Sequence, residues 1–156
     1  MGIFLKTDRY IHRFELALFS AAFGFLLAGI LIYGLCRDSN LLVFGIIGKP
    51  SFWGQFRLIY PSGNLPLNVL AYNVPDGLWM LSGLLCLRAL WLDNESKGKI
   101  YIRVFFVLAF LFEGLQWFDW IPGTFDVCDL IVYAIAPFVE GIFYYCFVKR
   151  KKENLL

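Results

Sequence analysis

The sequence predicts an all-α fold, a bundle of four transmembrane helices with both termini cytoplasmic and a long, interfacial or re-entrant first outer loop. Three observations predict it: composition, four long apolar runs, and the placement of the basic residues. Of the 156 residues, 60% are hydrophobic, 19% aromatic and only 17% charged, against about 45–50% apolar and about 25% charged in an average globular chain. A water-soluble domain this small leaves much of its surface exposed and could not cover so many Phe and Trp side chains. The composition thus excludes a soluble enzyme, a nucleic-acid binder, a disordered tail and a disulfide scaffold. Residues 1–156 read as a single membrane domain.

The elements follow in chain order. Lys6, Arg9, His12 and Arg13 precede the uncharged stretch 16–36. No early small-x-small cleavage site interrupts it, so it is expected to remain as a membrane span rather than be removed as a signal. The first outer loop, 37–73, holds a run at 41–48 that is too short to cross. Pro50, Phe52, Trp53, Phe56, Tyr60, Pro61, Pro66 and Tyr72 follow, and aromatic residues favour the membrane–water interface. The second span covers 74–92, with Asp76 at one end and Arg88 near the other. The third covers 100–118 and holds Arg103 and Glu113. The fourth covers 129–148 and holds Pro137 and Glu140. Each approaches the roughly 20 residues a helix needs to cross hydrocarbon, where backbone polar groups must be satisfied within the segment.

Basic residues set the orientation. Lys6, Arg9 and Arg13 lie before span one, Arg88, Lys97, Lys99 and Arg103 around the loop between spans two and three, and Lys149, Arg150, Lys151 and Lys152 in the tail. Only Arg37, Lys49 and Arg57 remain for the other side. The positive-inside rule makes both termini cytoplasmic.

Intramembrane carboxylates are costly and tend to mark function. On this topology Asp76, Glu113, Asp119, Asp126 and Asp129 all come to the outer helix ends. Glu113 and Gln116 share one helix face, as do Asp126 and Asp129, and Tyr133 adds a hydroxyl one turn below Asp129. The outer turn from Trp117 to Asp129 contains no basic residue. Asp76 and Asp126 also read as helix N-caps, where the helix dipole favours acids. Glu113 has no such explanation, since a negative charge near a helix C-terminus is unfavourable. Glu140, about three turns below Asp129, reads as protonated, paired with a cation such as Arg88, or part of a polar track. Trp53, Trp79, Trp117 and Trp120 are candidate walls of an outer pocket, or interfacial anchors.

The run Phe112–Ala136 resembles the VanZ-like family of small bacterial membrane proteins. The resemblance rests on Glu113 and Gln116 as a Glu-x-x-Gln pair, on Pro122 and Gly123, and on Phe125, Asp126 and Asp129 as Phe-Asp-x-x-Asp. Asp76 stands where that family begins an earlier span with Asp-Lys-x-x-His. Gly77 and Met80 replace the Lys and His, Thr124 stands where an Arg often follows the Gly, and Tyr133 where an Asn often follows the second Asp. The acids are kept and the basic and imidazole partners are gone, which marks a divergent member. The resemblance implies a bacterial cytoplasmic (inner) membrane protein of the cell envelope, associated with glycopeptide resistance.

The function expected first is non-enzymatic: Asp76, Glu113, Gln116, Asp126, Asp129, Tyr133, Trp79 and Trp117 bind the head of a lipid, glycolipid or amphiphilic antibiotic. Its partners are then membrane lipids, a lipid-linked envelope precursor or a glycopeptide, with no nucleic acid. The alternatives are an aspartyl-type intramembrane hydrolase drawing a dyad from Asp76, Glu113 and Asp129, or a structural subunit of a membrane complex. The length and four spans resemble lipoprotein signal peptidase, but that family's Gly-Asn-x-x-Asp-Arg and Asn-x-Ala-Asp patterns are missing. No cofactor or metal is expected; Cys36 and Cys128 are the only thiols on the outer side and could pair with each other. Ser20, Gly24 and Ala28 form a small-residue face that serves packing within a monomer, the state favoured, or an oligomer. One outcome tests the orientation. A fluorescent protein fused after Leu156 should fluoresce, and alkaline phosphatase fused there should be inactive but active when inserted at Gly123; phosphatase activity at the tail would invert the topology.

Overall fold

A computed structural model describes residues 2–36 and 65–146. Among the described residues the chain is entirely helical, with α1 at Gly2–Cys36, α2 at Leu65–Tyr72, α3 at Val74–Leu90, α4 at Glu95–Trp117 and α5 at Val127–Tyr144. Among the described residues two helices are long and apolar enough to cross a membrane, over His12–Cys36 and Val127–Tyr144. Most of the expected outer loop and the basic tail lie outside the described residues, Trp53 among them. The loop's end is described, and it is helical.

Local chemistry explains the boundaries. At the α2–α3 junction the Asn73 N–H donates to the Val69 carbonyl (3.0 Å) and its carbonyl accepts from the Gly77 N–H (3.1 Å). The helical hydrogen bonds therefore pass through the bend. Pro75 falls in the first turn of α3, where its missing N–H costs nothing. The start of α4 is capped by Asn94, whose side chain accepts from the Lys97 N–H. Its end closes on two bonds, Asp119 N–H to the Gln116 carbonyl and Trp120 N–H to the Leu115 carbonyl, with Asp119 in the left-handed region at φ 57°. That pattern is a Schellman turn, and an Asp tolerates its left-handed position.

The third helix is the axis of the fold. It buries Pro75, Met80, Leu81, Ser82, Leu84, Leu85, Arg88 and Ala89, with α1, α4 and α5 arranged around it. Small residues bring the helices close: a Cβ at Gly29 would overlap the Trp79 indole, one at Gly83 the Phe105 ring, and one at Gly77 would press on Val132. The Ser82 hydroxyl donates to the Ala22 carbonyl at 2.7 Å, tying α3 to α1. Among the described residues nothing packs on the Ser20 and Gly24 part of the small-residue face, while Ala28 is half-buried. Ser20 and Gly24 are exposed, and nothing approaches Gly24 within 4 Å. The packed face of α1 instead carries Leu18, Ala22 and Gly29.

Burial on α5 runs against the soluble pattern. Its buried residues are Asp129, Ala136 and Glu140, while Ile131, Ile135, Phe138 and Ile142 are exposed. Asp129, Tyr133, Ala136 and Glu140 share one stripe at helical spacing, and it faces α3 and α4. Near its lower end the Arg88 guanidinium meets Glu140 in a two-pronged ion pair, Nε to Oε1 at 2.6 Å and Nη2 to Oε2 at 3.1 Å. Arg88 is 8% and Glu140 3% exposed. The Tyr144 ring lies 4.5 Å from the guanidinium carbon, and its hydroxyl donates to Glu95 at the head of α4. Of the three readings of Glu140, pairing with Arg88 is therefore the one observed. Arg88→Met alone should destabilise the protein by about 3–5 kcal/mol, because it leaves Glu140 buried without its cation. Arg88→Met with Glu140→Leu should recover most of that loss, as read from thermal unfolding in detergent. A double variant no better than the single one would refute the assignment.

Candidate functional site

At the opposite end of the α3–α5 pair a second polar cluster forms from three helix termini. Because the Asn73 backbone is satisfied within the helical run, its side chain can turn sideways; it is 3% exposed. Its amide nitrogen donates to Asp126 Oδ2 at 2.9 Å and to Asp129 Oδ1 at 2.8 Å. Both amide hydrogens are thereby used, and α3 is clamped to the start of α5. Asp126 is the N-cap of α5, its Oδ1 accepting from the Cys128 N–H at 2.8 Å, as the cap reading expected. Asp76 is not the cap of α3. Asn73 holds the N-cap position, and Asp76 follows inside the first turn, where the dipole still favours its charge.

Glu113 enters from the last turns of α4 and is 5% exposed. The Tyr133 hydroxyl stands 3.5 Å from its Oε1, a long contact, and the Phe110 ring meets the Tyr133 ring edge-on with centroids 6.3 Å apart. Asp126 and Asp129 lie within electrostatic reach of Glu113, and Asp76, Glu113 and Asp129 lie within electrostatic reach of the Tyr133 hydroxyl. The second Glu113 oxygen, Oε2, is buried and has no hydrogen-bond partner among the described residues. A buried acceptor left unmade costs about 1–3 kcal/mol, more when charged. The junction is rich in acceptors, and its central one is vacant. Among the described residues no three His, Cys, Asp or Glu side chains converge as a metal site.

The structure brings together Asp76, Glu113, Asp126, Asp129 and Tyr133, and separates the remaining candidates from them. The Gln116 amide packs beneath Gly123, whose φ of 146° and lack of a Cβ make room for it; it braces the turn. Trp79 faces α1, its ring 5.3 Å from that of Tyr33 and over Gly29. Trp117 packs edge-on against Phe125 and points outward, as does Trp120, 75% exposed. Cys36 and Cys128 are not joined in a disulfide. Sequence reasoning missed Asn73, which it left at the end of a loop. The available signal was spacing: Asn73 precedes Asp76 by three residues, one helical turn on the same face.

No protein-family model, curated protein or solved structure matches the chain. The site's first test is therefore physical. Asn73→Leu removes both donors from Asp126 and Asp129, bonds worth about 1.5–3 kcal/mol each when the acceptor is charged. It should lower the unfolding midpoint far more than Gln116→Leu, which only braces the turn. Equal effects would mean that the amide clamp is not what joins α3 to α5 here.

Proposed function

We propose that the chain is a four-span protein of the bacterial cytoplasmic membrane, related to the VanZ-like family, with both termini cytoplasmic. In this reading its outer helix ends bind the polar head of a lipid, glycolipid or amphiphilic antibiotic. The inverted burial of α5 supports the membrane setting. A helix that shelters Asp129 and Glu140 while presenting Ile131, Ile135, Phe138 and Ile142 outward suits an apolar solvent and would be unfavourable in water. The 23 residues of α4 span roughly 34 Å, enough to cross. The 17 residues of α3 are extended through Asn73 by α2. With four spans, the distribution of Lys and Arg puts the acidic junction outside and the Arg88–Glu140 pair toward the cytoplasm.

The observation that carries the binding role is the unpartnered Oε2 of Glu113, buried where three helix ends meet. The resemblance of Phe112–Ala136 to the VanZ-like pattern supports the same place, since Glu113, Asp126 and Asp129 are the acids the two share. Trp117, Phe118 and Trp120, all exposed beside it, suit the interface in which a lipid head resides. Native mass spectrometry of gently extracted protein tests the reading. The wild type should carry a bound lipid or glycolipid that Asp76→Asn and Glu113→Gln both lose by about tenfold or more. Retention of the same lipids by all three proteins would remove the binding role and return the acids to structural duty.

A further inference from the structure

We infer that the chemical group seated at this junction is a primary ammonium, held by Glu113 Oε2 near Tyr133 and Phe110. The inference rests on the binding role just proposed and narrows its ligand to one head-group chemistry. Two sources carry that chemistry, an amino lipid such as phosphatidylethanolamine and a water-soluble amine.

The inventory of donors and acceptors selects it. The side-chain donors at the junction are already directed inward: the Asn73 amide to Asp126 and Asp129, and the Tyr133 hydroxyl to Glu113 Oε1. Asp76, Asp126 and Asp129 have further interactions of their own, so the seat is defined by Glu113, whose Oε2 is buried and unmet. What enters must donate. A phosphate or carboxylate brings only acceptors and negative charge toward the unmet Glu113 oxygen. A sugar hydroxyl donates once and presents lone pairs to the same oxygen. An ammonium brings three donors, no acceptor and the opposite charge, and a charge-assisted bond to a carboxylate is about twice as strong as a neutral one.

Aromatic groups complete the match. Phe110 and Tyr133 meet edge-on one turn from the acids, and ring faces attract a cation that has left water. The contrast with the other polar cluster is instructive. There the Glu140 carboxylate already receives two bonds from Arg88, which lies over Tyr144. Carboxylate, cation and aromatic ring are all present at that end. At the Glu113 end the carboxylate and the rings are present, and among the described residues no side-chain cation meets Glu113 Oε2, so a ligand ammonium would complete the same set.

The test loads purified full-length protein from vesicles containing equal amounts of phosphatidylethanolamine, phosphatidylglycerol and phosphatidylcholine, and reads retained lipid by native mass spectrometry. The wild type should retain phosphatidylethanolamine at least about tenfold over phosphatidylglycerol, equivalent to about 1.4 kcal/mol. It should also prefer the primary ammonium to the bulkier choline, which cannot donate. Glu113→Gln should lose the preference; Phe138→Ala, on the exposed face of α5, should keep it. Ethanolamine in the aqueous phase distinguishes the sources. If it alone raises the unfolding temperature of the wild type, and the Glu113→Gln protein does not respond, a soluble amine is the occupant and the ammonium assignment stands. Phosphatidylglycerol or glycolipid retained instead, in a Glu113-dependent manner, would overturn the ammonium while leaving the binding role intact. Indifference of every lipid to Glu113→Gln would overturn both. Should Glu113→Gln fail to fold, the wild-type ranking of the three lipids decides alone, and no preference for the primary ammonium refutes the inference.

Discussion

The buried pair of Arg88 and Glu140 is the constraint on which the other contacts depend. Two charges, each less than a tenth exposed, are stable together and costly apart. Their two-pronged geometry allows one register of α3 against α5. Asn73 lies fifteen residues earlier on the chain than Arg88, roughly 22 Å along a helix. Asp126 precedes Glu140 by a similar length of α5, which runs parallel to α3. With the ion pair in place, the Asn73 amide therefore arrives opposite the two acids. A slip of one turn at either clamp would strand a buried charge at the other.

Between the clamps the helices are joined by shape. Gly77 admits Val132, Gly83 admits the Phe105 ring, and Gly29 admits the Trp79 indole, so α3 is approached closely from three sides. Such packing needs little hydrophobic force, which suits helices whose outer faces are as apolar as their inner ones. Leu84 and Leu85, both fully buried, fill the centre. The outward Phe and Ile residues of α1 and α5 are the surface of this molecule rather than a failure of its core.

Helix termini explain the chemistry of the junction. Asp76, Asp126 and Asp129 occupy the first turns or caps of α3 and α5, where unsatisfied N–H groups and the helix dipoles stabilise negative charge. Glu113 comes from the opposite kind of terminus, near the carbonyl end of α4, and packs among those acids with one oxygen unmet. Burial and the neighbouring acids disfavour its charge, against which the Tyr133 hydroxyl offers one long contact. The Schellman turn at Asp119 and the Gln116 amide beneath Gly123 hold the end of α4 in place. Glu113 is thus kept where its own chemistry disfavours it.

The sequence by itself determined that the elements among the described residues are helices and where the apolar cores of the long ones lie, because long apolar runs are local properties. The Asp126 cap was legible for the same reason: a cap bonds to a backbone group two residues away. So was the shared face of Asp126 and Asp129. Arg88 was named as a possible partner for Glu140 from charge and depth alone. Tertiary structure decided what no spacing within one helix could. It chose Asn73 as the group that bridges α3 and α5, turned Trp79 to α1 and Gln116 to the turn, and left Ser20 and Gly24 of the small-residue face outward. These outcomes depend on the rotation of each helix about its own axis. That rotation is set by the neighbour each helix packs against, through Gly29, Gly77, Gly83 and the Arg88–Glu140 pair, and a single helix's sequence does not contain its neighbour.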